Sequence, residues 1–112
     1  MSLPPDQVSY VSPQEINAWR AAGNAVIVDV REQNEWDQAH IPGAVLMPLS
    51  TFDPAKIPDA GGKHLVFHCK SGVRCGVASA KAVEAGFKGK IARMEGGFLA
   101  WARNGYEIEG GP

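Results

Sequence analysis

Apolar and polar positions along the chain alternate between two rhythms. Ala25–Val30 is a continuous apolar run broken only by Asp29 and followed by Arg31, and it reads as a strand buried on both faces. His64–His68 is a second such segment and leads straight into Cys69, while Val8–Val11, Ala44–Met47 and Lys90–Met94 are shorter extended candidates. Helical stretches fall between them. Ser12-Pro13-Gln14-Glu15 is a helix start, with serine as the cap, proline at the first helical position and Glu15 placed to complete a capping box. Ile16, Trp19 and Arg20 carry that helix to Gly23. Glu32–Gln38 reads as a short helix, and Cys75–Ala85, with Val77, Ala80 and Val83 in register, as a longer one stopped by Gly86. Phe98–Arg103 is the last, opened by Gly96-Gly97 and ended by Asn104-Gly105. Ile41-Pro42-Gly43-Ala44 has type II turn chemistry, Thr51–Pro58 predicts turns or a short helix, and Gly61-Gly62 a hinge-like loop. Alternating strands and helices predict an α/β fold, a small, mostly parallel sheet with helices on both faces.

Composition narrows the function classes. The chain has 112 residues, 45% hydrophobic and 21% charged, which fits one globular domain at residues 8–108 with a loose lead-in at 1–7 and a Gly-rich tail at 109–112. The net charge of −1 gives no footprint for nucleic acid or an anionic membrane surface. No apolar run approaches the ~20 residues of a spanning helix. Met1 to Glu15 lacks the basic start and apolar stretch of a secretion signal. Two cysteines do not make a disulfide framework, so a reducing, cytoplasmic setting is expected, and no cofactor is.

Within this frame Cys69 stands out. Ligands of parallel sheets bind beyond the carboxyl ends of strands, and Cys69 lies there, between a strand end and a helix start. In Cys69-Lys70-Ser71-Gly72-Val73-Arg74-Cys75, a curled loop would turn successive N–H groups inward. The next helix would aim its positive end at the same point, and Lys70 and Arg74 add two cations. All favour a thiolate, the nucleophilic form of cysteine, over an inert buried thiol.

Four stretches carry a family resemblance: Val28-Asp29-Val30-Arg31-Glu32 with Glu35-Trp36, His40-Ile41-Pro42-Gly43-Ala44, Cys69 to Arg74, and Glu95-Gly96-Gly97-Phe98-Leu99-Ala100-Trp101. In order and spacing, from about Ser12 to Ile108, the chain resembles single-domain rhodaneses. It departs at Ala39, where that family commonly has glycine. The resemblance implies the rhodanese fold and a sulfurtransferase in which Cys69 carries sulfur as a persulfide and Lys70, Ser71, Gly72, Val73 and Arg74 bind the substrate. It implies a small-molecule donor such as thiosulfate or a persulfide, and cyanide, a thiol or a protein cysteine as acceptor. A carrier module serving a protein partner uses the same residues, and a non-catalytic binding domain would lack the nucleophile. Phosphatases and arsenate reductases of this fold place five residues between Cys and Arg. Here there are four, and Cys75 takes the arginine's place.

The remaining polar residues have plainer readings. Asp29 and Arg31 are expected to anchor loops rather than act as acid and base. Alternation along the strand sets His64 and His68 against Cys69, which argues against a metal site. His40 reads as a hydrogen-bonding corner residue, Cys75 as a packing residue in the first helical turn, and Trp19, Trp36 and Trp101 as packing residues. Lys81, Lys88, Lys90 and Arg93 are expected on a solvated face.

Overall fold

The computed structural model describes residue 4 and residues 6–110; residues 1–3 and 5 of the expected lead-in, and residues 111 and 112 of the expected tail, lie outside the described residues. Five strands, β1 (Val8–Val11), β2 (Ala25–Asp29), β3 (Val45–Leu46), β4 (His64–His68) and β5 (Ile91–Met94), form an all-parallel sheet in the order β1-β5-β4-β2-β3. Four helices accompany it: α1 (Pro13–Ala21), α2 (Gln33–Gln38), α3 (Arg74–Glu84) and α4 (Gly97–Arg103). Two 3₁₀ turns, Leu49–Thr51 and Pro54–Lys56, fill the Thr51–Pro58 region and the residues just before it.

Handedness explains the layers. From β1 to β2 the chain crosses the sheet one way, and from β4 to β5 it returns the other way. Right-handed crossovers then place α1 and α3 on opposite faces. Side-chain alternation in β4 serves both: Leu65 and Phe67 join Val28, Ile91, Ala78 and Ala82 on the α3 side, while Val66 joins Ile27, Ala92, Ile16 and Trp101 on the side of α1 and α4.

Local chemistry sets the element ends. Ser12 Oγ accepts the Glu15 N–H at 3.2 Å, capping α1. Ala44 N–H closes onto Ile41 O at 3.1 Å with Gly43 at φ +84°, the left-handed position a type II turn requires. The third strand keeps only Val45 and Leu46 of the expected Ala44–Met47: the Ala44 N–H closes the preceding turn, while Met47 and Leu49 N–H groups still bond the carbonyls of Asp29 and Val30. Among the described residues no helix is long and apolar enough to cross a membrane.

One buried polar cluster ties the carboxyl ends of the strands together. Asp29 and Arg31 are 0% and 5% exposed. Arg31 Nε meets Asp29 Oδ1 and Oδ2 at 3.0 and 3.1 Å, and Nη2 meets Oδ2 at 2.8 Å. Nη2 also reaches the Ala39 carbonyl at 2.7 Å, and the guanidinium lies 4.3 Å from the centre of the Phe98 ring. This links β2 to the end of α2 and to α4. His68 is fully buried beside it, its Nε2 3.6 Å from Asp29 Oδ2, and burial holds its pKa below the usual histidine value despite the opposing pull of Asp29. Removing one partner of such a pair strands the other charge in the core. Arg31→Ala is expected to lower unfolding free energy by about 3–5 kcal/mol, read as an earlier urea midpoint at unchanged slope. Reactivity of Cys69 in the fraction that remains folded should fall less.

Candidate active site

Cys69 is the first residue past β4, and residues 69–73 carry the chain from the strand into α3. The loop is held on three sides. From within, the Gly72 N–H points to Cys69 Sγ at 3.1 Å. Gly72 has φ +113°, a conformation that a residue with a Cβ resists. From the α4 side, Phe98 N–H takes the Cys69 carbonyl at 2.7 Å and Leu99 N–H takes the Lys70 carbonyl at 3.1 Å. These are donors that the first turn of a helix leaves free. Gly97 permits that approach, since a Cβ there would lie 2.6 Å from Cys69 O and 2.7 Å from Lys70 O. From β5, Arg93 Nη2 donates to the Gly72 carbonyl at 2.8 Å.

This setting decides the charge on sulfur. The Cys69 pKa is held at about 5, first by a hydrogen bond from the Cys75 thiol and then by the amides of Cys75, Gly72 and Ser71, against the opposing effect of burial. Cys75 moves the other way: the neighbouring Cys69 thiolate and its own burial push its thiol far up. The two free sulfurs therefore hold one negative charge, and it sits on Cys69. Cys75, expected only to pack, is buried and also donates its thiol to the Gly72 carbonyl at 3.2 Å.

The expected cations are arranged differently from each other. Arg74 gives two guanidinium nitrogens to the Glu35 carboxylate, Nη1 to Oε1 at 2.6 Å and Nη2 to Oε2 at 2.8 Å. That pairing holds the Glu35 pKa at about 2, and Glu35 Oε1 also accepts the Glu32 N–H at the start of α2. Lys70 is exposed and shares a recess of about 200 Å³ with Arg31, Glu35, Gln38, Phe98 and Leu99. Ser71 is exposed, Gly72 buried, and Val73 72% exposed at the rim. Cys69 itself is 1% exposed.

Other expectations can be placed as well. Among the described residues no group of metal-ligating side chains converges. His64 stacks on Trp19 at 3.7 Å, at the far end of β4 from Cys69. His40 is a corner residue, with Nδ1 on Trp36 O and Nε2 on Glu109 Oε1, both at 2.9 Å. Its backbone also exchanges hydrogen bonds with Glu109, so the start of the expected tail is fastened to the fold. Arg93 corrects the solvated-face expectation. Its position in β5 turns it inward against α3, because Ile91 and Arg93 share one face of the strand and Ala92 and Met94 the other. The sequence signal for it was Gly76, a glycine within a helix. Glu35 as partner of Arg74 had no local signal, since the two lie 39 positions apart.

Comparison with known proteins is specific. The family described as Rhodanese-like domain matches residues 12–104. The uncharacterized protein slr1261 of Synechocystis is 38% identical over 95 residues, covering 85% of this chain and 52% of that protein. The probable adenylyltransferase/sulfurtransferase MoeZ of Mycobacterium tuberculosis is 37% identical over 100 residues, covering 85% of this chain and 25% of that one. The chain thus spans about half of the first relative and a quarter of the second. The crystal structure of thiosulfate sulfurtransferase from Pseudomonas aeruginosa shares the fold, with a TM-score of 0.80 at 21% identity over 94% of this chain and 21% of that one.

The charge assignment is directly measurable. Alkylation of Cys69 by iodoacetamide, followed by peptide mass mapping, is expected to be half-maximal at about pH 5, to plateau by neutral pH and to fall as acid protonates the thiolate. Cys75 should stay unmodified at neutral pH. A midpoint near the ~8.5 of an ordinary cysteine would contradict the assignment.

Proposed function

The chain belongs to the rhodanese-like domain family, and from that membership we propose that it is a sulfurtransferase that carries sulfur as a persulfide on Cys69. The observation that carries the reading is a cysteine at the carboxyl end of the central strand whose sulfur is kept anionic by a thiol and a set of amides. No base is needed once that sulfur is ionised, which agrees with Asp29 and Arg31 being spent on each other.

The reaction has two half-steps. The Cys69 thiolate attacks the outer sulfur of thiosulfate; the new S–S bond forms, the old one breaks, and sulfite leaves with the electron pair. A cyanide or thiolate acceptor then attacks the outer sulfur of the Cys69 persulfide, and the Cys69 thiolate is regenerated with the bonding pair. The intermediate is an anion like the ground state, so the Gly72, Ser71 and Cys75 amides that hold the thiolate suit it too. Lys70 is the exposed cation that draws an anionic donor to the loop, while Arg74 supports the site through Glu35 rather than meeting the donor. Phosphate chemistry is disfavoured by the four-residue spacing from Cys69 to Arg74 and by the commitment of Arg74 to Glu35. Both cysteines being free suits a reducing, cytoplasmic setting. A carrier role, with a partner protein's cysteine as acceptor, uses the same chemistry.

Turnover with thiosulfate and cyanide, read beside intact mass, tests the proposal. Wild-type protein treated with thiosulfate should gain about 32 Da, one sulfur, and lose it on adding cyanide. Cys69→Ser should do neither. A folded wild-type protein that takes up no sulfur from thiosulfate or from a small persulfide would overturn the reading. Sulfur loading with slow release to cyanide but fast release to a protein thiol would mark the carrier. Lys70→Ala is expected to raise KM for thiosulfate roughly threefold with little change in kcat, the gap closing at high ionic strength.

A further inference from the structure

Arg93 sits on β5 opposite Tyr10 of β1, and its guanidinium carbon lies 4.2 Å from the centre of the Tyr10 ring. Its Nη2 donates to the Gly72 carbonyl, while its Nε is buried with no hydrogen-bond partner. Such a side chain needs room between the sheet and α3, and Gly76 provides it. A Cβ at position 76 would lie 2.5 Å from Arg93 Nη2 and 2.9 Å from Cζ. Glycine ordinarily weakens a helix, so this notch has a reason outside the helix itself.

The carbonyl that Arg93 holds belongs to the residue whose N–H meets Cys69. Only two dihedrals lie between the Gly72 N–H and the Gly72 C=O, so fixing the oxygen restricts the swing of the N–H. The same oxygen accepts the Cys75 thiol at 3.2 Å, so a strand side chain and a helix side chain hold one carbonyl between them.

We propose that Arg93 is a positioning residue of the sulfur site: seated in the Gly76 notch, it holds the Gly72 carbonyl so that the Gly72 N–H stays turned to Cys69. It touches no substrate, and its role rests on the reading of Cys69 as the sulfur-carrying residue. The charged and titratable groups around Cys69 are Cys75 and Arg74 from α3, Glu35 from α2 behind Arg74, His68 at the end of β4, Lys70 in the loop and Arg93 from β5. A useful test therefore separates Arg93's charge from its geometry.

Three variants do this. Arg93→Gln removes charge and fork, Arg93→Lys keeps the charge and loses the fork, and Gly76→Ala keeps the arginine but fills its notch. The pH midpoint of Cys69 alkylation by iodoacetamide is measured for each, with circular dichroism melting to confirm the fold. The midpoint is expected to rise by about one pH unit in Arg93→Gln and Gly76→Ala and by less in Arg93→Lys. A purely structural role would lower melting temperature and leave the midpoint in place. Unchanged midpoints in the variants that fold would overturn the proposal, and so would failure of all three to fold, since Arg93 would then be a core anchor. A shifted midpoint in a protein that transfers no sulfur sinks the proposed function, and with it the role in sulfur transfer, while leaving Arg93's hold on the Cys69 loop established. Transfer with no shift does the reverse.

Discussion

An anion enclosed by protein has to be answered by donors that cannot drift away. Here the anion is the Cys69 sulfur, and what answers it is a short stretch of backbone folded over it with one thiol behind. Full side-chain charges play a smaller part, because amides fixed by the fold need no reorganisation when charge moves onto or off the sulfur. The cost falls on the backbone. Gly72 must take a left-handed conformation, and the loop's outward-facing carbonyls must find partners elsewhere. Much of the surrounding architecture supplies them: α4 receives the carbonyls of Cys69 and Lys70, and β5 receives that of Gly72.

A second layer keeps those partners in place. The Asp29–Arg31 pair is too buried to be a surface ornament, and its bonds reach the Ala39 carbonyl and the Phe98 ring. It fixes where α4 begins relative to the sheet, and α4 in turn fixes the loop. Glu35 does similar service from α2, bonding the Glu32 N–H with one oxygen and pinning the first residue of α3 through Arg74. The motif residues around Cys69 thus form a supporting frame whose members spend their charges on one another.

Much of this could be read from the sequence, and the exceptions have physical causes. Strand and helix order follows from apolar runs alternating with punctuated amphipathic stretches, so β2, β4, α1 and α3 fall within a residue or so of their expected places. The weakest expectation was at β3, where the strand keeps only Val45 and Leu46 of the four residues expected. In the loop, position alone picks out Cys69 and Gly72. The division of labour among the charges was not legible. Arg74 and Glu35 are far apart in sequence, and whether an arginine faces a substrate or a carboxylate depends on tertiary geometry. Arg93 was misplaced because charge suggests solvent, whereas strand parity turned it inward. Cys75 looked like filler because the direction of an S–H bond leaves no trace in spacing.

Gly97 has a temporal consequence. Its missing side chain lets the amides that follow it close on the carbonyls of Cys69 and Lys70, residues made almost thirty positions earlier. While the chain emerges from the ribosome, the cysteine is exposed to solvent well before the segment that shapes its loop exists. The carbonyls of Cys69 and Lys70 gain these partners only once the last helix is in place, so the frame around the loop is completed late in synthesis.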